Sequence, residues 1–226
     1  MSRQVPAERA APTRIRARAW VSVSFARIAA HLRAVRLPIP IAAWIVVGLA
    51  APYILLNTLF PGPALSYTLG MALALLALFA LLLAGITPQA LGLRLALPSR
   101  QGALVLALLL VFIPGALLAG RAQPLGWLDD LVYAPASALA QELYFRAALL
   151  VALRQLARGN TRLALALQAA LFALWHIRAF EVATIAQALA VLALTFLAGL
   201  LWGWQAQRDR TILYTFLQHT LFLIVQ

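Results

Sequence analysis

The fold is decided by long uncharged stretches such as residues 182–204, which read VATIAQALAVLALTFLAGLLWGW. A transmembrane helix needs about 20 consecutive, mostly apolar residues to cross the hydrocarbon core of a bilayer. Comparable stretches recur along the chain and predict spans at residues 41–60, 65–86, 102–119, 132–153, 162–178, 182–204 and 211–226. We therefore expect an all-α protein, a polytopic transmembrane helical bundle of about seven spans.

The composition agrees with a membrane protein and excludes several kinds of chemistry. The chain of 226 residues is 64% hydrophobic and 11% charged, whereas soluble domains are about half apolar and about a quarter charged. Cysteine is absent. Disulfides, thiolate nucleophiles and cysteine-based metal sites are therefore excluded.

The arginines give the chain its net charge of +12, and their distribution follows the pattern of a membrane protein. A strongly basic protein often binds nucleic acid, but here the arginines alternate between the predicted loops as the positive-inside rule requires. Placing the N-terminus inside leaves few positive charges outside. The inside loops hold Arg94, Arg100, Arg154, Arg158, Arg162, Arg208 and Arg210, and the outside loops hold Arg121 and Arg178 with Asp129, Asp130 and Glu181. We expect a multi-pass cell-membrane protein with a cytoplasmic N-terminus, from a bacterial inner membrane, that binds no nucleic acid.

Residues 1–40 differ from the rest of the chain. A polar, arginine-containing tail precedes a stretch in which Val21, Phe25, Ile28, Leu32 and Val35 recur at steps of three and four residues. This spacing predicts a basic amphipathic helix on the membrane surface. We therefore divide the chain into residues 1–40 and a transmembrane domain at residues 41–226.

Ionisable side chains inside the predicted spans are the candidates for chemistry, because they are costly in a bilayer. They are Glu142, Arg146, His176 and His219. Glu142 and Arg146 are four residues apart and share one helix face. They form either an internal ion pair or a carboxylate base that the arginine holds in place.

One glutamate and two histidines on three late spans can meet in the core of a bundle. Such a trio supports two kinds of hydrolysis. It can hold Zn²⁺ through two imidazoles and a carboxylate, with an open position for water. It can also deprotonate water without a metal and stabilise the resulting oxyanion. Individually, either histidine could instead be an interface residue or a hydrogen-bonding group between helices.

The same residues resemble the motifs of a known family. The order Glu-x-x-x-Arg (Glu142, Arg146), then Phe-x-x-x-His (Phe172, His176), then a histidine on the last helix (His219) is similar to the CPBP family. This family comprises the type II CAAX prenyl proteases and the bacteriocin-processing membrane proteins, and is also called Abi. The resemblance covers about residues 130–226.

The resemblance implies an intramembrane endopeptidase of the glutamate type that requires no cofactor. It assigns water activation to Glu142 and His176, oxyanion binding to His219 and support of the carboxylate to Arg146. Gln141 and Phe172 occupy supporting motif positions. The implied partners are the lipid bilayer and a membrane-associated peptide or protein substrate.

Two positions depart from the family pattern. Gln141 stands where the family usually has a glutamate, and Leu223 stands where it usually has an asparagine beside the oxyanion. Gln218 and Thr220 are the nearby groups that could compensate for the missing asparagine. The departures leave open a catalytically impaired membrane scaffold or binding protein of the same family. A small transporter unrelated to the family is a further alternative.

Overall fold

All regular secondary structure in the described residues is helical. The computed structural model describes residues 36–60, 63–120 and 132–225. The amphipathic helix predicted before residue 36 lies outside these ranges, as do Arg121, Asp129 and Asp130 of the predicted outside loop.

The helices follow the predicted spans closely. In chain order they are α1 (Ile39–Gly48), α2 (Ala50–Leu59), α3 (Pro63–Leu83), α4 (Arg100–Gly120), α5 (Ala134–Gln141), a π-helical segment (Glu142–Leu149), α6 (Leu150–Leu156), α7 (Thr161–Leu174), α8 (Ala179–Val182), α9 (Ile185–Asp209) and α10 (Leu213–Val225). The α5, π-helical and α6 segments follow one another without a break and form one long helix.

Several of these helices are suited to a membrane. Within the described residues, five are long and apolar enough to cross a bilayer: Ile39–Leu56, Leu65–Leu83, Ala134–Leu156, Thr161–Val182 and Ile185–Asp209. A sixth apolar helix, Leu213–Ile224, is shorter. The expectation of an all-helical, multi-pass membrane protein is confirmed, whereas the count of seven spans stays a prediction.

The central helix of the bundle is Ala134–Leu156, which is the most buried of the five, with 78% of its 18-residue apolar window buried. The π-helical segment in its middle begins at Glu142 and buries every side chain except that of Leu143. A π-helical turn widens the helix and changes the direction of the following side chains, and such turns are frequent at functional sites. The π-helical segment therefore contains Glu142 and Arg146, two of the residues that the sequence identified as candidates for chemistry.

Helices α7 and α9 approach each other closely at two glycines. A Cβ atom added at Gly199 would lie 3.0 Å from Cα of Ala169 and 3.2 Å from Cδ1 of Phe172. One added at Gly203 would lie 2.6 Å from Oε1 of Gln168. Small residues allow such close packing of membrane helices. The approach brings α9, which carries Trp202, against the part of α7 that carries Phe172.

The loop between α3 and α4 fixes the start of α10. The Thr211 hydroxyl donates to the Arg94 carbonyl at 2.7 Å, and the Tyr214 hydroxyl donates to the Ala96 carbonyl at 2.6 Å. In return, Nε of Arg94 donates to the carbonyl of Arg210 at 2.9 Å. These bonds set the position of the helix that carries His219.

We predict that Gly199→Val destabilises the fold. The added side chain must push α9 away from the Ala169 backbone, and overpacking of this kind costs about 1–3 kcal/mol. The free energy of unfolding, measured by denaturation in mixed micelles, should fall by that amount. Gly48→Val is the matched control, because nothing lies within 4 Å of a Cβ atom at that position. Equal stability of the two variants would contradict the close approach of the helices.

Candidate active site

Glu142 is the centre of a buried polar cluster. Its side chain has no solvent exposure, and both of its carboxylate oxygens have partners on α10. Nδ1 of His219 lies 2.9 Å from Oε1, and the Thr215 hydroxyl donates to Oε2 at 2.7 Å. Thr215 and His219 are four residues apart and therefore share a helix face. One face of α10 thus binds the whole carboxylate group.

Arg146 supplies the positive charge beside this carboxylate. Its Nη1 lies 3.5 Å from Oε1 of Glu142, and both side chains are fully buried. The guanidinium carbon lies 4.1 Å from the ring centroid of Phe172 and 5.5 Å from that of Trp202. Aromatic faces attract a cation at these distances. Glu142 and Arg146 therefore lie on one helix face, as predicted, and form a buried ion pair.

The ring of His219 is held by aromatic neighbours. It stacks on Trp202 with 4.7 Å between centroids and 27° between planes, and it meets the edge of Phe172 at 5.8 Å. An ionised carboxylate only accepts hydrogen bonds, so Nδ1 of His219 is the donor to Glu142. In the neutral ring, Nε2 then carries the lone pair. The hydrogen bond to Glu142 therefore leaves Nε2 of His219 as the nitrogen that can accept a proton.

His176 lies in the turn that follows α7 and uses a different partner. Its Nδ1 donates to the carbonyl of Phe172 at 3.1 Å, and its ring meets the Phe172 ring at 5.3 Å. Phe172 therefore contacts both imidazoles. The structure thus pairs Glu142 with His219, while His176 is fixed by its own helix end. The roles that the resemblance assigns to the two histidines stay predictions.

Gln141 lies outside this network. Its amide nitrogen donates to the Ser137 hydroxyl at 3.0 Å, one turn earlier on α5. Its Oε1 is buried without a hydrogen-bond partner in the described part of the chain. The carboxylate of the adjacent Glu142, and not the amide of Gln141, is therefore the group that meets the histidine.

Sequence reasoning missed Thr215 and Trp202 as members of the site. The i, i+4 spacing of Thr215 and His219 was an available signal, since it places a hydroxyl on the same face as the imidazole. Trp202 belongs to the stretch Gly199–Gly203, which is also similar to the family, but it was interpreted as a residue of the membrane boundary, where tryptophans are common.

Of the residues considered as substitutes for the missing asparagine, Gln218 is buried, and Thr220 is half-buried with its hydroxyl inside the protein. Both amide atoms of Gln218 and the hydroxyl of Thr220 lack hydrogen-bond partners among the described residues. Leu223, at the departing position itself, is half-buried. Gln218 and Thr220 are thus polar groups on α10 with unused hydrogen-bonding capacity.

The zinc alternative requires three metal ligands close together. No group of three or more histidine, aspartate or glutamate side chains with that arrangement occurs in residues 36–60, 63–120 and 132–225. The hydrogen bond to Glu142 also occupies Nδ1 of His219.

The C-terminal part of the chain is similar to a known protein family. Residues 123–225 match the family model described as type II CAAX prenyl endopeptidase Rce1-like. This match confirms the resemblance to the CPBP family that the motifs of Glu142, His176 and His219 indicated. No curated protein and no solved structure matches the chain.

We predict that Arg146→Met destabilises the protein and that Glu142→Gln partly rescues it. Removing one partner of a buried ion pair leaves an uncompensated charge, at a cost of about 3–5 kcal/mol. The double variant removes both charges, so its free energy of unfolding should lie closer to that of the wild type. Denaturation of the four proteins in mixed micelles completes the double-mutant cycle. Additive effects of the two substitutions would show that the charges do not interact.

Proposed function

We propose that this chain, whose residues 123–225 match the Rce1-like endopeptidases, is an intramembrane endopeptidase that hydrolyses peptide bonds of membrane-associated substrates. The observation that carries the proposal is the buried hydrogen bond between Glu142 and His219. Ionisable groups inside a membrane bundle are costly and are found where a function requires them. A carboxylate bound to an imidazole is a pair suited to general base catalysis.

In the proposed reaction, Nε2 of His219 accepts a proton from water. The oxygen of that water adds to the carbonyl carbon of the peptide bond, and the carbonyl oxygen becomes an oxyanion. The proton then passes from His219 to the leaving amine as the C–N bond breaks. Glu142 remains ionised throughout, orients the imidazole and stabilises the imidazolium, while Arg146 and Thr215 hold the carboxylate.

The family resemblance assigns the pairing differently, with Glu142 and His176 at the water and His219 at the oxyanion. We place His219 at the water because its Nδ1 is the nitrogen bound to Glu142. His176 is the proposed second polar group at the reacting carbonyl, since its ring and that of His219 contact the same Phe172 ring. Because Nδ1 of His176 already donates to the Phe172 carbonyl, the proposed donor for the oxyanion is the unpaired amide of Gln218 on α10.

The substrates we propose are hydrophobic or membrane-associated peptides and proteins, because the site is enclosed by apolar helices.

We propose further that the protein lies in the cell membrane with seven spans, a cytoplasmic N-terminus and a separate basic segment at residues 1–40. The proposed reaction uses no metal ion and no other cofactor, and no nucleic acid is involved.

A second candidate function is that of a scaffold or binding protein of the same family with impaired catalysis. The observation that favours it is the saturation of the Glu142 carboxylate. His219, Thr215 and Arg146 occupy both oxygens. Gln141 and Leu223 in place of the usual glutamate and asparagine point the same way.

Profiling of new N-termini in membranes distinguishes the two functions. The strains express the wild type, Glu142→Gln, His219→Gln and, as a matched control, Glu181→Gln, whose carboxylate is more than half exposed. We expect a set of cleavage products that is present in the wild type and the control and absent from the other two strains. Identical profiles in all strains at equal protein levels would contradict the endopeptidase function and favour the scaffold function.

A fifth strain, Glu142→Ala with Gln141→Glu, examines the departure from the family pattern. The restored glutamate occupies the position that the family uses. Return of the same cleavage products would show that either position can provide the carboxylate. Their continued absence would show that in this chain the carboxylate must project from position 142.

We predict that Thr215 acts as a positioning residue for the carboxylate. Thr215→Val removes the donor to Oε2 while keeping the shape of the side chain. We expect kcat to fall by about tenfold, because a hydrogen bond to a charged group is worth about 1.5–3 kcal/mol, with little change in KM. Thr215→Ser should retain most of the rate. Thr195→Val is the control, since the partners of that hydroxyl in the described part of the chain are carbonyls of its own helix. A change confined to KM would contradict the positioning role.

A further inference from the structure

A cavity at one end of the bundle collects arginine side chains. It has a volume of about 420 Å³, and its walls include Arg94, Arg146, Arg154 and Arg210 together with Gln89 and Gln207. No aspartate or glutamate side chain lines it. Arg146 has its counter-charge in Glu142 behind the wall. The guanidinium groups of Arg94, Arg154 and Arg210 have no counter-charge among the lining residues, and they make the cavity positive. A positive cavity attracts anions.

Buried donors in the wall lack hydrogen-bond partners. Nε and Nη2 of the buried Arg146 have no partner among the described residues, and its Nη1 has only the 3.5 Å ion-pair contact with Glu142. Nε2 of Gln207 is also buried without a partner there. Buried donors are nearly always satisfied in native proteins. The two groups therefore indicate a ligand with several acceptor oxygens.

Three of the arginines that line the cavity lie at the ends of membrane spans or in a loop, which places them at the level of the lipid headgroups. Arg154 lies in the last turn of the span Ala134–Leu156, and Arg210 directly follows the span Ile185–Asp209. Arg94 belongs to the loop between α3 and α4. Basic residues just outside membrane spans are attracted to anionic lipids.

We propose that this cavity is a binding site for a phosphate group, supplied by an anionic lipid headgroup or by free phosphate. A phosphate presents several acceptor oxygens and more than one negative charge to planar guanidinium donors. The site is separate from the reacting carboxylate but is joined to it through Arg146, which faces the cavity and pairs with Glu142. The proposal does not rest on proteolysis, since its test is binding.

The test uses the full chain, purified in a non-ionic detergent and titrated with three probes. The probes are inorganic phosphate, dioctanoyl phosphatidic acid and, as a match without phosphate, dioctanoylglycerol. We expect saturable binding of at least one phosphate probe and none of dioctanoylglycerol, measured as a shift of Tm. Much tighter binding of phosphatidic acid would identify the lipid headgroup as the source, and equal affinity of the two would identify free phosphate.

Three variants locate the site. Arg154→Gln and Gln207→Leu should each weaken binding, Arg154→Gln by about tenfold, because a charge-assisted hydrogen bond is lost. Arg162→Gln is the control, since Arg162 is exposed and does not line the cavity. Equal weakening by Arg162→Gln, or no effect of either cavity variant in a protein that keeps its unliganded Tm, would overturn the proposal. Absence of saturable phosphate binding would overturn it as well.

Discussion

The burial of one carboxylate constrains the rest of this structure. Transfer of an unpaired charge into an apolar interior is strongly unfavourable, so Glu142 can lie in the bundle only with partners around it. Nδ1 of His219, the hydroxyl of Thr215 and the guanidinium of Arg146 are those partners. The cation in turn lies against the faces of Phe172 and Trp202. Four helical elements therefore meet at a single charged group.

The surrounding packing keeps these elements in place. The central helix is held from its other side by Tyr144, whose hydroxyl donates to the Val46 carbonyl and whose ring stacks on that of Tyr53 at 4.2 Å. Glycines let α9 approach α7, which brings Trp202 to the site. The loop before α4 fixes the start of α10. The catalysis proposed for Glu142 and His219 requires this kind of rigid support.

The sequence predicted the helices because membrane spans are long and apolar, and it predicted Glu142 and Arg146 as neighbours because i, i+4 spacing on a helix determines a shared face. It could not predict which histidine binds Glu142, since periodicity within a helix carries no information on how helices face each other. The resemblance favoured His176, whereas the hydrogen bond joins Glu142 to His219. The π-helical segment that begins at Glu142 also has no signature in the sequence, and it alters the direction in which the following side chains project.

The pairing of Glu142 with His219 is the central claim, and the scarcity of histidine makes it directly measurable. The chain contains three histidines, so ¹⁵N labelling of histidine alone gives a spectrum of three residues that single substitutions assign. We predict that Nδ1 of His219 carries a proton with a strongly downfield shift, and that Glu142→Gln changes this signal while the signals of His176 stay in place. A spectrum in which Glu142→Gln changes the signals of His176 and leaves those of His219 unaltered would contradict the account.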